Sequence, residues 1–205
     1  MSAIRLLVLG AVRQHGLAHG YMVRNDLEFW GAHEWSNAKP GSIYHALKQL
    51  AKQGLLLAHE TAPSTAGGPP RTQYELTAAG EAEFMKLLRH ALTDIDEKPD
   101  VLTSAVGFLV DLDRAEAVAL LRERVAKLES WREEVTEHWT PDGSTPEEWG
   151  HIGEIMKLWV HTSDSGAEWA RSLIARLEAG HYVMAGEGSR QADVLPEGTP
   201  NPYAR

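Results

Sequence analysis

The chain has 205 residues, 43% hydrophobic and 24% charged, a globular composition that excludes a wholly disordered or fibrous protein. It has no cysteine, which rules out disulfides, thiolate metal sites and a cysteine nucleophile and fits a reducing, cytoplasmic setting. The formal charge of −9 argues against a polyanionic partner for the molecule as a whole, yet residues 1–76 carry +2 and the remainder −11, so only the first part suits one.

Leu6, Leu7, Leu9 and Val12 give residues 2–15 a broad apolar helical face, which Gly16 stops. His19-Gly20-Tyr21 opens a second helical segment carrying Met22, Leu27 and Trp30, broken by Gly31 and the polar stretch 33–37. Pro40 suits the first turn of a third helix; its Ile43, Leu47 and Leu50 recur at four and three residues, and Gly54 stands where a left-handed cap belongs. Residues 55–60 (LLLAHE) and 72–76 (TQYEL) read as two strands joined by a Gly/Pro-rich turn, 61–71. Thr77 is an N-cap for a further helix that runs to about His90.

After a hinge at 94–99, Val118, Leu121, Val125, Leu128, Val135 and Trp139 form a coiled-coil-like seam on a long helix over 113–139, interrupted at Arg132. Residues 140–146 are a turn. Residues 147–184 read as a second long helix with Ile152, Ile155, Trp159, Trp169 and Leu173 on one face, widened by Met156, Val160, Ala167, Ala170, Ile174 and Leu177. A lone helix leaves so wide a face uncovered. From Gly186 on, glycine and proline replace apolar periodicity, and a disordered tail over 185–205 is expected.

The expected architecture is mainly α with a small β-hairpin wing: a winged helix-turn-helix domain over 1–92, a helical domain over 100–184, and the tail. In that arrangement the third helix lies in the major groove and the hairpin reaches the neighbouring backbone. Its exposed early face would present Lys39, Ser42, His45 and Lys48, with Tyr44 nearby, while Arg71 and Gln73 begin the second wing strand. The same pattern also describes an ordinary solvated helix beside a surface hairpin.

Other chemistry finds less support. Glu148/His151 and Glu178/His181 have metal-ligand spacing, but on one continuous helix they stand about 45 Å apart, too far to share a site. No nucleophile elbow, zinc-protease helix or phosphate-binding loop is present, so neither an enzyme nor a cofactor is expected. No apolar run reaches the ~20 residues of a membrane span, and no secretory signal is evident. Of the seven tryptophans, five fall in the second half, where packing in a core or dimer interface is the expectation.

Leu9-Gly10, His19-Gly20-Tyr21, Pro40-Gly41-Ser42-Ile43-Tyr44, Leu47 through Gly54-Leu55, Gly67-Gly68-Pro69-Pro70-Arg71 and Tyr74-Glu75-Leu76-Thr77-Ala78-Ala79-Gly80 follow one another in an order and spacing that resemble the PadR-like transcriptional regulators over residues 4–85. The resemblance implies a homodimeric, typically repressing regulator, with the helical region 100–184 as its dimerisation domain, that binds a palindromic DNA operator and is released by a small hydrophobic or aromatic effector. It implies that Tyr44 contacts phosphate, that Ser42, His45 and Lys48 face the groove, and that Arg71 belongs to the wing. By the same analogy Trp159 or Trp169 lines an effector pocket. One departure is that family wings carry several basic residues where this one has Pro70-Arg71-Thr72-Gln73. An alternative, kept open by the acidic balance, is a winged-helix adaptor that docks another protein.

Overall fold

The computed structural model describes residues 1–60, 72–139 and 144–188. Eight α-helices and one three-stranded sheet are found among them: α1 (Ala3–His15), β1 (Leu17–His19), α2 (Gly20–Phe29), α3 (Ala32–Trp35), α4 (Pro40–Lys52), β2 (Leu56–Glu60), β3 (Thr72–Leu76), α5 (Ala78–Thr93), α6 (Pro99–Gly107), α7 (Arg114–Trp139) and α8 (His151–Glu178). The residues divide into two compact units, one of Met1–Ala91 with Glu97–Phe108 and one of Leu92–Asp96 with 109–188.

In the first unit α1 is the central rod. Leu6 through Val12 are buried without interruption, because α2, α4, α6 and β3 all pack on this helix. Around it, Val23 and Leu27 of α2, Ile43, Leu47 and Leu50 of α4, and Phe84 and Leu88 of α5 complete one core. Phe108 closes it, its ring edge-on to Phe84 at 5.5 Å and to Trp30 at 5.7 Å. The helix ends obey their local chemistry. The amides of Gly54 and Leu55 bond back to the carbonyls of Ala51 and Leu50 with Gly54 at φ 73°, a Schellman cap that ends α4 and turns the chain into β2. Thr77 Oγ accepts the amide of Gly80 at 3.0 Å, the expected N-cap of α5.

Three features differ from the sequence reading. A third strand joins the expected β2-β3 hairpin, so the wing is a sheet in the order β1-β3-β2, both pairs antiparallel. A one-turn helix, α3, stands in the polar stretch before α4, so the groove-reading candidate is the fourth helix. The composition break near residue 100 is not the packing boundary, since α6 lies within the first unit and its Val101 and Ala105 are buried there.

In the second unit α7 and α8 pair antiparallel. Ser163 Oγ donates to the buried carbonyl of Leu128 at 2.9 Å, and Arg122–Glu178, Glu129–Arg171 and Arg132–Asp164 bridge the two helices over 122–132 of α7 and 164–178 of α8. On α8 the buried stripe is Gly153, Met156, Ser163, Ala167, Ala170, Leu173, Ile174 and Leu177. It takes in the widening set of the sequence reading except Val160, which is half-buried, and adds Leu173 from the first face. Ile152, Ile155 and Trp159 instead stay 38–41% exposed. Of the tryptophans in this unit whose burial is described, Trp131 and Trp169 are half-buried and Trp149 and Trp159 are exposed, so none is enclosed in the core of one chain. Residue 124, on the inner face of α7, is a buried arginine whose Nη1 donates to the carbonyl of Asp94 at 2.6 Å; burial pushes its pKa down, while Asp94 pushes it up. At the head of the expected tail, Met184 is buried, the Ala185 amide donates to the Leu112 carbonyl, and Glu187 pairs with Arg114. Residues 189–205 lie outside the described residues.

Candidate nucleic-acid interface

The outward stripe of α4 follows from its own periodicity. With Ile43, Leu47 and Leu50 at 0–1% exposure, the remaining positions turn to solvent, and Tyr44, His45 and Lys48 are exposed. Lys39 is exposed at the N-cap, and Lys52 extends the stripe one turn beyond Lys48. Lys52 escaped the sequence reading, although its i+4 spacing from Lys48 was there to find it. Ser42 is half-buried and its hydroxyl is engaged locally, within 2.7 Å of the Lys39 carbonyl and 2.8 Å of the Asn37 carbonyl, so it acts first as a fastener of the helix start.

Ion pairing decides where the positive charge of residues 1–60 is available. Arg5 is held by Glu83, Arg13 by Glu81 and Arg24 by Glu28. Lys39, Lys48 and Lys52 have no ion-pair partner among the described residues, and all three lie on or at the start of α4. The modest +2 of residues 1–76 therefore understates this face. Its cations are unneutralised, which is what a phosphate backbone requires.

Beside this stripe lie the start of α2 and the base of the wing. Tyr44 is 38% exposed, and its ring sits so close over Gly20 that a Cβ there would be 2.7 Å from Tyr44 Cε1. Tyr21 is 43% exposed and stacks on His19, with ring centroids 5.4 Å apart. Gln73, in β3, lies across from His19 in β1 and His59 in β2. His19-Gly20-Tyr21 thus joins the stripe as a surface that sequence reasoning treated as a helix opening. Tyr74 faces the other way, and its burial pushes the phenol pKa up. Arg71 lies outside the described residues.

Residues 8–86 match the sequence model of the transcriptional regulator PadR-like family. The PadR-like region thus takes in α4, all three strands and the interface built above. No curated protein matches the chain. Among solved structures, the chain is similar to Bacillus subtilis PadR in complex with operator DNA (22% identity, 84% of this chain and 98% of that one, TM-score 0.38). It is similar to the same regulator in complex with p-coumaric acid (22% identity, 86% and 99%, TM-score 0.35) and to the PadR-like regulator BC1756 from Bacillus cereus (19% identity, 86% and 99%, TM-score 0.34).

Trp159 and Trp169 are not brought together within one chain. They stand ten residues apart on α8, about 15 Å along its axis. A cleft of about 620 Å³ in this unit is lined by Arg114, Val118, Glu178 and Glu187, and one of about 300 Å³ by Val125, Ala126, Ile174 and Ala175 with their flanking charges; neither includes a tryptophan. Among the described residues no helix is long and apolar enough to cross a membrane.

Proposed function

We propose that the chain is a sequence-specific DNA-binding transcriptional regulator, a repressor that acts as a homodimer on a palindromic operator. The observation that carries this is the outward stripe of α4, where Lys39, Lys48 and Lys52 are unpaired among the described residues while the arginines of residues 1–60, at 5, 13 and 24, are neutralised. The PadR-like match over the same residues supports it. Lys39, Tyr44, His45 and Lys48 contact the duplex from α4, Ser42 secures the start of that helix, and Gln73 and Arg71 serve the wing.

Dimerisation is assigned to the second unit. Ile152, Ile155, Leu158 and Trp159 leave 38–62% of their surface exposed along one half of α8, an apolar strip that a second copy would cover. A two-fold dimer would set two copies of α4 about 34 Å, or a multiple of one helical turn, apart along the duplex. An effector that is small and hydrophobic or aromatic would bind where Trp159 and Trp169 of two chains meet and would release the DNA.

The test is a gel-shift titration against the intergenic DNA upstream of the chain's own gene, at several salt concentrations. Wild type binds in preference to random duplex; Lys48→Ala lowers the slope of log K on log salt by about 0.9, the signature of one lost phosphate contact. Tyr44→Ala weakens binding. Equal binding to random duplex would refute the specific-regulator reading.

A further inference from the structure

We infer that His19 is a positioning residue for Gln73, fixing which end of the Gln73 amide the base of the wing presents to DNA. The inference rests on the DNA-binding reading for its consequence, but the bond itself can be tested without DNA. In the sheet's register His19, Gln73 and His59 form one cross-strand row, and residues opposite one another project from the same face. Gln73 thus has a histidine on each side. Only one holds it: the amide nitrogen of Gln73 lies 3.3 Å from His19 Nε2, whereas His59 Nε2 is taken by Glu75 at 3.0 Å.

The His19 ring has little freedom to do otherwise. It stacks on Tyr21 at 17° between planes, and its Nδ1 is buried without a hydrogen-bond partner among the described residues. The titratable side chains around this arrangement are Tyr21 of α2, Tyr44 of α4, which packs on the adjoining Gly20, Tyr74 of β3, which interacts with Tyr44, and His59 and Glu75 on the neighbouring strands. The three residues of His19-Gly20-Tyr21 then act together, since the imidazole grips Gln73, the glycine admits the Tyr44 ring, and the Tyr21 ring braces the imidazole.

The chemistry of the pair follows from donor and acceptor capacity. An amide nitrogen can only donate, so a neutral His19 accepts at Nε2 and leaves the Gln73 carbonyl oxygen as the outward end. An acceptor there suits a base-edge amino group and is repelled by phosphate oxygens, so it serves sequence preference rather than charge. A protonated imidazole has no lone pair to offer, so Nε2 must donate, the amide must turn over, and its NH2 becomes the outward end.

Two measurements test this. By NMR, the Gln73 side-chain amide resonances of wild type move together with the His19 ring resonances across a pH series. In His19→Phe, which keeps the stack on Tyr21, they stay flat. In binding to the upstream duplex at pH 8, His19→Phe and Gln73→Leu each weaken affinity roughly five- to tenfold, the worth of one hydrogen bond. The double variant is no weaker than the worse single one, and the salt slope is unchanged because no charge is lost. Amide resonances that ignore His19 overturn the inference. So do losses that multiply in the double variant. Should His19→Phe fail to fold, Gln73→Leu reads the same bond from the other side, as a displaced His19 ring resonance, and an undisplaced one overturns it. DNA binding by wild type together with the Lys48→Ala salt effect checks the DNA reading separately, so the two failures are distinguishable.

Discussion

Replacing Gly10 with alanine adds one methyl group at the most crowded point of the first unit. A Cβ on Gly10 would lie 2.2, 2.4 and 2.7 Å from Cζ, Cε1 and Cε2 of Phe108, where carbon atoms prefer at least about 3.5 Å. The ring must therefore retreat by more than an ångström. It is 2% exposed and edge-packed against both Phe84 and Trp30, so it cannot swing into solvent. Overpacking of this kind costs about 1–3 kcal/mol, and the boxed ring places it at the upper end. Alanine returns about 1 kcal/mol of helix propensity in the middle of α1. The net expectation is a loss of about 1–2 kcal/mol, which in a unit of this size lowers Tm by roughly 4–16 °C. Chemical denaturation of the full chain, followed by far-ultraviolet circular dichroism, measures it. Adding Phe108→Leu should relieve the clash, so that the double variant loses less than the two single losses combined. A Gly10→Ala protein as stable as wild type, or strictly additive losses, would refute the reasoning and with it the placement of 97–108 in the first unit.

Gly20→Ala is a milder case with a functional readout. The added Cβ meets the half-exposed Tyr44 ring at 2.7 Å, which can swing aside, so stability should change by less than about 1 kcal/mol. DNA affinity, measured by fluorescence anisotropy, should nevertheless fall about tenfold through the displaced phosphate contact. Thr77→Ala removes both the cap on the Gly80 amide and the hydroxyl's bond to Gly54 O at 2.8 Å; a loss of about 1–2 kcal/mol in denaturant titration is expected. Arg114 beside Glu187 holds that carboxyl below the usual glutamate range, first through the hydrogen bond between them. Because the folded value is the lower one, the clasp contributes stability at neutral pH and loses it as pH falls below about 4. Hydrogen exchange over residues 181–188 should be slow at pH 6 and fast at pH 3 in wild type, but insensitive to pH over that range in Glu187→Gln after correction for intrinsic exchange rates.

Much of this molecule is legible locally. The four-and-three spacing of Ile43, Leu47 and Leu50, Pro40 at one end and Gly54 at the other determine α4 and its outward face without any partner, because helix periodicity and capping act over a single turn. Thr77 marks the start of α5 for the same reason. What tertiary structure decided depends on residues distant in sequence. β1 is three residues long and has no readable alternation; it is a strand only because β3 offers it a ladder. Residues 97–108 fall beyond a hinge in composition, yet the void that Gly10 leaves in α1 is filled by Phe108. On α8 two apolar stripes compete, and the one carrying Ala167 and Ala170 wins because small side chains let α7 approach closely, leaving Trp159 outside. Composition counts every arginine alike, whereas the fold neutralises those at 5, 13 and 24 and leaves the α4 lysines bare, since an ion pair is settled by proximity in space.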